Sequence, residues 1–191
     1  NENIKKTTKN KKYKNITCFI PARFNSSRLP GKPLLKINNK TIIQRVYEQV
    51  KKSKLINTVI VLTDDERIKN NIEEIGGKCE FVFEECLNGT ERIIKYLQKN
   101  QNCCDLIVNV QGDEPFIDPN NIDNMIQTYL DNNDENIKCS TLHYKLNNNE
   151  IKRKSIGKLV LDKNNNILYC SRNIIPSGKN ENIIENHQYY G

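Results

Sequence analysis

Residues Ile20–Leu34, IPARFNSSRLPGKPL, decide how this chain folds. They directly follow an apolar run, Ile16–Ile20, which predicts a buried first strand. The loop that comes next contains four turn-forming residues, Pro21, Pro30, Gly31 and Pro33. Because proline fixes φ and glycine permits unusual backbone angles, such a loop can be pre-shaped at low entropic cost. The sequence therefore predicts a rigid loop at the carboxyl end of a buried strand.

Three cations lie on this loop: Arg23, Arg28 and Lys32. Arginine offers bidentate geometry to phosphate oxygens, and lysine offers a compact point charge. Convergent cations on a rigid loop at a strand end therefore indicate a triphosphate site, with a solvated surface turn as the alternative. The spacing differs from that of a Walker A loop, because no G-x-x-x-x-G-K-[ST] pattern occurs in the chain.

A second polar segment, Gln111–Pro115 (QGDEP), follows the apolar run Leu106–Val110. It places the Asp113 carboxylate on a tight turn just past a predicted strand end. A hard cation prefers a carboxylate oxygen together with substrate phosphate oxygens, so Asp113 is the predicted Mg²⁺ ligand. The alternative is that Asp113 and Glu114 only cap the turn that follows.

A third segment, Asn88–Arg92 (NGTER), opens a predicted helix with a capping residue and an acid in the first turn. Helix capping alone is the simpler interpretation of this segment, and a ligand site is the alternative. Thr63-Asp64 follows the run Thr58–Leu62 and is a less specific signal. In open α/β sheets, ligands bind beyond the carboxyl ends of the strands. We therefore expect these segments and the cationic loop to converge in one crevice.

Short apolar runs alternate with helical patterns along most of the chain. Strands are predicted at Ile16–Ile20, Thr58–Leu62, Phe81–Phe83, Leu106–Val110 and Ile137–Leu142, and helices from Thr41 and over Glu66–Ile75, Thr90–Leu97 and Pro119–Leu130. This alternation predicts a parallel, three-layer α/β sheet. Further on, Lys158–Leu161 and Ile167–Cys170 flank an Asn-rich stretch and predict a β-hairpin.

The three motifs together resemble those of the 3-deoxy-manno-octulosonate cytidylyltransferase (CMP-Kdo synthetase) family, in the same order and from about Ile16 onward. The resemblance implies a three-layer α/β/α, Rossmann-like nucleotide-diphospho-sugar transferase fold with a small β insertion. It also implies a nucleotidyltransferase of nucleotide-sugar and lipopolysaccharide biosynthesis, which transfers CMP from CTP to the anomeric hydroxyl of Kdo and releases pyrophosphate. The alternatives are a CMP-sialic acid synthetase, which shares the P-A-R start, and a nucleotide-binding homologue without turnover.

The resemblance also implies roles for individual residues. Arg23 and Lys32 would clamp the CTP phosphates, Lys32 close to the α-phosphate, while Arg28 helps to shape the loop. Asp113 would hold Mg²⁺, the implied cofactor. The remaining implied nucleotide-binding residues are Pro21, Ala22, Thr63, Asp64, Asn88, Gly89, Thr90 and Gln111, with Gly89 and Thr90 at the cytosine and Gln111 near the base or sugar. The implied residues for the sugar acid are Lys158, Arg172, His187 and Tyr189, the last two competing for the family's histidine position.

The family's sequences continue beyond the position of Gly191, and that further part supplies a second Asp for Mg²⁺, part of the sugar pocket and most of a homodimer interface. The resemblance therefore implies that residues 1–191 bind CTP weakly while lacking half of the metal site. It implies a homodimer for the full-length protein.

Composition limits the remaining possibilities. No apolar stretch approaches the roughly eighteen residues that a membrane-spanning helix requires, so no membrane-spanning segment is predicted. The seven cysteines are scattered, and none forms a C-x-x-C pair, which favours buried free thiols in a reducing compartment. A cytoplasmic location is therefore predicted. The alternative is an organelle, if a targeting segment precedes Asn1.

The net charge of +7 is concentrated at one end of the chain. Residues 1–15 contain six lysines and one acid, Glu2, and so carry +5, which leaves +2 for the rest. This composition predicts a basic disordered tail over residues 1–15, followed by a nucleotidyltransferase domain over residues 16–191. Contact of the tail with nucleic acid or an anionic membrane is the alternative, and no nucleic-acid partner is predicted.

Overall fold

The computed structural model describes residues 13–25, 29–132, 134–177 and 189–191. The predictions for Arg28, His187 and residues 1–12 lie outside the described residues. The chain forms two compact units, the first running to Ser140 and the second from Thr141 to Gly191. Each unit is built from its own set of strands and helices.

The elements of the first unit are β1 (Ile16–Pro21), β2 (Lys36–Ile37), β3 (Lys40–Thr41), α1 (Ile42–Val50), β4 (Thr58–Thr63), α2 (Glu66–Glu73), β5 (Lys78–Phe81), α3 (Gly89–Lys99), β6 (Leu106–Asn109) and α4 (Pro119–Asp131). Four of the strands form a parallel sheet in the order β5-β4-β1-β6. The short strands β2 and β3 form a separate antiparallel pair. A 3₁₀ helix, Lys32–Leu34, precedes them.

Side chains of successive residues on β1 point to opposite faces of the sheet, and each face is covered by helices. On one face, Cys18 and Ile20 belong to a core that includes buried residues of α1, α2 and α4. On the other face, Phe19 packs against Tyr96 of α3, with ring centroids 5.5 Å apart. The unit therefore has three layers, which confirms the predicted fold class.

Side-chain caps fix where the helices of this unit begin. The Thr41 hydroxyl accepts from the Gln44 amide at 3.1 Å, and the Asn88 side chain accepts from the Glu91 amide at 2.9 Å. Asp65 and Asp118 cap α2 and α4 in the same way. Polar side chains at these positions satisfy amides that have no partner within the helix, so the helix starts follow directly from the sequence.

Two strand predictions differ from the structure. The predicted strand Phe81–Phe83 ends at Phe81, because its partner β4 ends at Thr63, which pairs with Phe81. The predicted strand Ile137–Leu142 is wrong, because the structure assigns no strand there. That run is mostly exposed and has no partner strand among the described residues, so its β-forming side chains have no sheet to join.

Three residues of the predicted tail belong with the fold. The Asp105 carboxylate accepts from the backbone amides of Lys14 and Asn15 at 2.9 and 2.8 Å. These hydrogen bonds hold the pKa of Asp105 below its usual range. The Tyr13 ring packs against Tyr129, with centroids 5.9 Å apart. Tyr13, Lys14 and Asn15 are therefore fixed to the first unit.

The second unit contains α5 (Asn148–Ile151) and an antiparallel hairpin of β7 (Lys158–Leu161) and β8 (Ile167–Ser171), which confirms the predicted hairpin. Its turn is held by Asp162, whose carboxylate accepts from the Asn164 and Asn166 amides, both at 2.8 Å. Tyr190 forms bridges to Lys145 and Leu159. The small core of this unit includes Leu146, Ile151 and Tyr189.

All seven cysteines are free thiols. The prediction that they are buried is correct for Cys18 and Cys79, and burial raises the pKa of Cys79 to about 12. It is wrong for Cys139 and Cys170, which are exposed. Cys170 lies on β8, where Ile167 and its neighbours are also exposed. No helix in the described part of the chain is long and apolar enough to cross a membrane.

Candidate active site

A cleft of about 490 Å³ lies beyond the carboxyl ends of β1 and β6 and next to the start of α3. Most of its lining comes from three of the sequence segments that were expected to converge, Ile20–Leu34, Asn88–Arg92 and Gln111–Pro115. The lining residues are Pro21, Ala22, Arg23, Leu29, Lys32, Pro33, Cys86, Leu87, Asn88, Gly89, Arg92, Gln111, Gly112 and Asp113. The topology explains this convergence, since parallel strands bring their following loops to one edge of the sheet.

The cationic loop is folded back on itself. Gly31 has a φ of 70°, and its amide donates to the Phe24 carbonyl at 2.8 Å. A β-carbon on Gly31 would lie 3.0 Å from the Phe24 ring, so both the backbone angle and the space favour glycine here. The Arg67 guanidinium lies over the Phe24 ring, 3.4 Å from the ring centroid. These contacts fix the backbone next to Arg23, at Phe24, and next to Lys32, at Gly31.

Lys32 and Asp113 meet across the cleft. Lys32 Nζ lies 2.6 Å from Asp113 Oδ2, although the two residues come from different motifs. Their side chains are 38% and 53% exposed, so both remain accessible from the cleft. The arrangement places a cation suited to phosphate and a carboxylate suited to a hard metal ion at one point.

The start of α3 lies very close to the end of β1, and the contact leaves no space for a side chain at Gly89. A β-carbon on Gly89 would lie 2.7 Å from Pro21 Cγ and 3.3 Å from Gln111 Oε1. A β-carbon on Gly112 would lie 2.8 Å from the Pro21 carbonyl oxygen. Glycine is therefore needed at both positions to bring the three segments together.

A chain of side-chain hydrogen bonds joins α3 to the end of β6. Asn109 Nδ2 donates to Thr90 Oγ1 at 3.4 Å, and Gln111 Nε2 donates to Asn109 Oδ1 at 3.2 Å. Because its amide nitrogen is used in this way, Gln111 directs its Oε1 acceptor toward Gly89. The cleft thus contains an oriented acceptor beside the start of α3.

Arg92 is a lining residue to which no role was predicted, although it ends the NGTER motif. It is 4% exposed, and its guanidinium donates to the Val82 carbonyl at 2.7 Å and to Asp64 Oδ2 at 2.6 Å. The sequence shows that Arg92 adjoins a predicted ligand segment. It does not show that the side chain is buried, and the burial is what indicates a role.

Most of the predicted nucleotide-binding residues line the cleft, as does the predicted metal ligand Asp113: they are Pro21, Ala22, Arg23, Lys32, Asn88, Gly89 and Gln111. Thr63, Asp64 and Thr90 do not line it. Thr63 is fully buried, and its hydroxyl accepts from the Asp65 amide at 3.2 Å. Contact of these three residues with a nucleotide stays a prediction.

The residues predicted for the sugar acid lie in the second unit. Lys158 is 1% exposed, and its ammonium donates to the carbonyls of Arg153, Ile156 and Arg172. Burial, and then the nearby Arg172 charge, lower the pKa of Lys158. The Arg172 guanidinium donates to the Ser155 carbonyl, and the buried Tyr189 hydroxyl donates to the Pro176 carbonyl at 2.8 Å. These contacts are internal to the unit, and binding of a sugar acid by the three residues stays a prediction.

The described residues contain no group of three or more histidine, cysteine or acidic side chains that would enclose a metal ion. Asp113 is a single carboxylate at the cleft, beside Lys32. This set fits Mg²⁺, which is usually held by one or two carboxylates together with substrate phosphates.

A parallel sheet with a charged cleft beyond its strand ends defines an α/β protein with a candidate phosphate-binding site. The chain belongs to the cytidylyltransferase family, whose sequence model matches residues 17–191. The resemblance that the motifs indicated is thereby confirmed.

Individual relatives agree with this assignment. A 3-deoxy-manno-octulosonate cytidylyltransferase of Fusobacterium nucleatum is 45% identical over 167 residues, which cover 86% of this chain and 66% of the relative. An 8-amino-3,8-dideoxy-manno-octulosonate cytidylyltransferase of Shewanella baltica is 41% identical over 167 residues, covering 86% and 68%. The chain therefore spans about two thirds of the length of these relatives.

A solved structure of a CMP:2-keto-3-deoxy-manno-octonic acid synthetase in complex with CTP is also similar. It superimposes with a TM-score of 0.81 at 34% identity, over 92% of this chain and 70% of that one. A cytidylyltransferase from Leptospira borgpetersenii gives a TM-score of 0.51 at 31% identity, over 62% and 50%. The predicted Rossmann-like nucleotidyltransferase fold is thus confirmed by structure as well as by sequence.

Proposed function

We propose that the protein transfers CMP from CTP to the anomeric hydroxyl of 3-deoxy-manno-octulosonate. The observation that carries the proposal is the contact between Lys32 and Asp113, which brings a cation suited to phosphate and a carboxylate suited to a metal ion together in one cleft. The similar structure that holds CTP, and the 45% identical relative named for this sugar acid, support the same substrates.

In the proposed reaction, the anomeric oxygen forms a bond to the α-phosphorus while the bond from that phosphorus to the bridging oxygen breaks. Pyrophosphate leaves with the electron pair, and the hydroxyl proton passes to water. Lys32 and Arg23 line the cleft on the cationic loop, where they would neutralise charge on the phosphates. Positioning and charge neutralisation account for this chemistry, and no covalent enzyme intermediate is required.

The same proposal includes Mg²⁺ held by Asp113. When bound, the ion would neutralise phosphate charge and orient the triphosphate. Asp113 would hold it from the turn after β6, and Lys32 would exchange its contact with Asp113 for a phosphate oxygen. Homodimer formation stays a prediction from the family resemblance.

Two closely related sugar acids are candidates for the substrate that accepts CMP. The relative from Shewanella baltica is named for the 8-amino-3,8-dideoxy form of the same sugar acid, at 41% identity against 45% for the relative named for Kdo itself. The two acceptors differ at the carbon furthest from the reacting anomeric centre. The higher identity favours Kdo, and the amino sugar is the second candidate.

Pyrophosphate release by the full-length protein tests the proposed function. With CTP and Mg²⁺, we expect release with Kdo and less or none with the 8-amino sugar acid or with N-acetylneuraminic acid. Faster release with N-acetylneuraminic acid would instead identify a CMP-sialic acid synthetase. CTP binding without release with any of the three acids would identify a nucleotide-binding homologue without turnover.

The cleft also predicts a choice of base. Gln111 Oε1 is an acceptor beside Gly89, and the 4-amino group of cytosine is a donor where uracil presents an acceptor. We therefore expect CTP to bind more tightly than UTP by about 1–3 kcal/mol, the usual cost of one unpaired buried polar group. Calorimetric titration with both nucleotides measures this difference. Equal affinities would remove Gln111 and the start of α3 from the base site.

A further inference from the structure

We infer that Asp64 and Arg92 form a positioning pair, which sets the distance between the start of α3 and the end of β1 and thereby the fit of the nucleoside half of CTP. The inference rests on the proposed function, because it concerns the same cleft. Asp64 is 35% exposed at its side chain and Arg92 only 5%, and they lie 2.6 Å apart.

Arg92 joins three elements of the first unit. Its guanidinium reaches the Val82 carbonyl just after β5 and the Asp64 carboxylate just after β4. The two strand ends are themselves linked, because the Val82 amide donates to the Thr63 carbonyl at 2.8 Å. Arg92 itself belongs to the first turn of α3, where its amide donates to the Asn88 carbonyl at 3.3 Å. A single buried side chain thus ties this turn to the sheet.

The position of that turn determines the width of the cleft. The turn carries Asn88 and Gly89, which line the cleft, and Gly89 packs against Pro21 and beside Gln111. Gly89 already lies so close to Pro21 that a β-carbon there would be 2.7 Å from Pro21 Cγ. A small outward shift of α3 would therefore widen the cleft at this wall, and an inward shift is blocked by Pro21.

The chemistry of the pair suits such a role. A charge-assisted hydrogen bond is shorter and roughly twice as strong as a neutral one. Arginine can hold a carboxylate and a carbonyl at once with its fixed fork of donors, whereas lysine offers a point charge without that geometry. Asp64 therefore contributes to nucleotide binding through Arg92, while Arg23 and Lys32 on the cationic loop do not depend on the pair.

Two variants, Asp64→Asn and Arg92→Lys, test the inference in the full-length protein by calorimetric titration with Mg²⁺. CTP probes the whole cleft, and inorganic tripolyphosphate probes only its phosphate half. We expect each variant to weaken CTP binding about tenfold and tripolyphosphate binding by less than about twofold, where tenfold corresponds to about 1.4 kcal/mol. The loss of CTP affinity in the double variant should be no greater than the larger of the two single losses, because the two side chains act as one unit.

The controls separate positioning from general loosening. Glu48→Gln removes an equally short ion pair, Lys40–Glu48 at 2.7 Å, on the surface, and should leave both affinities unchanged. If Arg92→Lys does not fold, Asp64→Asn alone tests the inference. This variant should fold, because asparagine keeps a carbonyl acceptor and the Asp64 side chain is 35% exposed. The inference is overturned if Asp64→Asn binds CTP as wild type does, or if CTP and tripolyphosphate affinities fall equally. If the wild-type protein binds no CTP in the titration, both the inference and the proposed function are wrong.

Discussion

Asp113→Asn is expected to lower kcat with CTP and Kdo by about a hundredfold or more, which corresponds to at least ~2.7 kcal/mol in the barrier. Asparagine preserves the shape of the side chain but removes the negative charge that would hold Mg²⁺. The turn that carries Asp113 is fixed by backbone contacts, including the Glu114 amide donating to the Gln111 carbonyl at 3.2 Å. Folding should therefore be unaffected, and steady-state kinetics over a range of Mg²⁺ concentrations should show the loss.

The neighbouring acid supplies a matched control for this variant. Glu114 is also exposed and lies next in sequence, but it does not line the cleft. Glu114→Gln should therefore keep kcat within about threefold of wild type, a difference of ~0.7 kcal/mol. If Asp113→Asn also stays within that range, Asp113 does not belong to the catalytic site.

Lys32→Met is expected to reduce kcat/KM by about 10²–10³-fold, the usual effect of removing one preorganised donor, ~2.7–4 kcal/mol. Methionine keeps much of the aliphatic length of lysine and loses the ammonium that faces Asp113. Since Lys32 would lie at the α-phosphate, most of the loss should appear in kcat rather than in the affinity for CTP. Single-turnover measurements at saturating CTP separate the two.

Lys36→Met controls for the general positive charge of this segment. Lys36 is exposed on β2 and lies four positions after Lys32. A comparable loss in Lys36→Met would point to attraction of the nucleotide by overall charge, not to a specific contact of Lys32. Because Lys32 and Asp113 touch, the double variant should lose less than the two single losses combined.

The fold was predictable where local chemistry decides it. The apolar run at β1 and the caps Thr41 and Asn88 each fix a boundary from a few neighbouring residues. The end of β5 was not predictable in this way, because it depends on where its partner β4 ends. The run Ile137–Leu142 failed for the same reason, since a strand requires a neighbour that its own residues do not reveal.

The site residues likewise fall into those that local sequence predicts and those that depend on tertiary contacts. Glycines and charged residues at strand ends identified the cationic loop, the start of α3 and the turn at Asp113, all of which line the cleft. The inferred role of Arg92 depends on Asp64, which lies 28 residues earlier, and on the burial of the arginine in the folded chain. Side chains that act through tertiary contacts leave little trace in the local pattern.

The unequal pairing of the two strands below the cleft has a consequence for its flexibility. β1 is hydrogen-bonded to β4 on one side and to β6 on the other, whereas β6 pairs only with β1 among the described strands. Amide hydrogens of a doubly paired central strand exchange with solvent mainly through global unfolding, while an edge strand opens at a lower free energy. The loop that follows β1 therefore starts from a firmly held strand, and the amides of β1 are expected to exchange slowly.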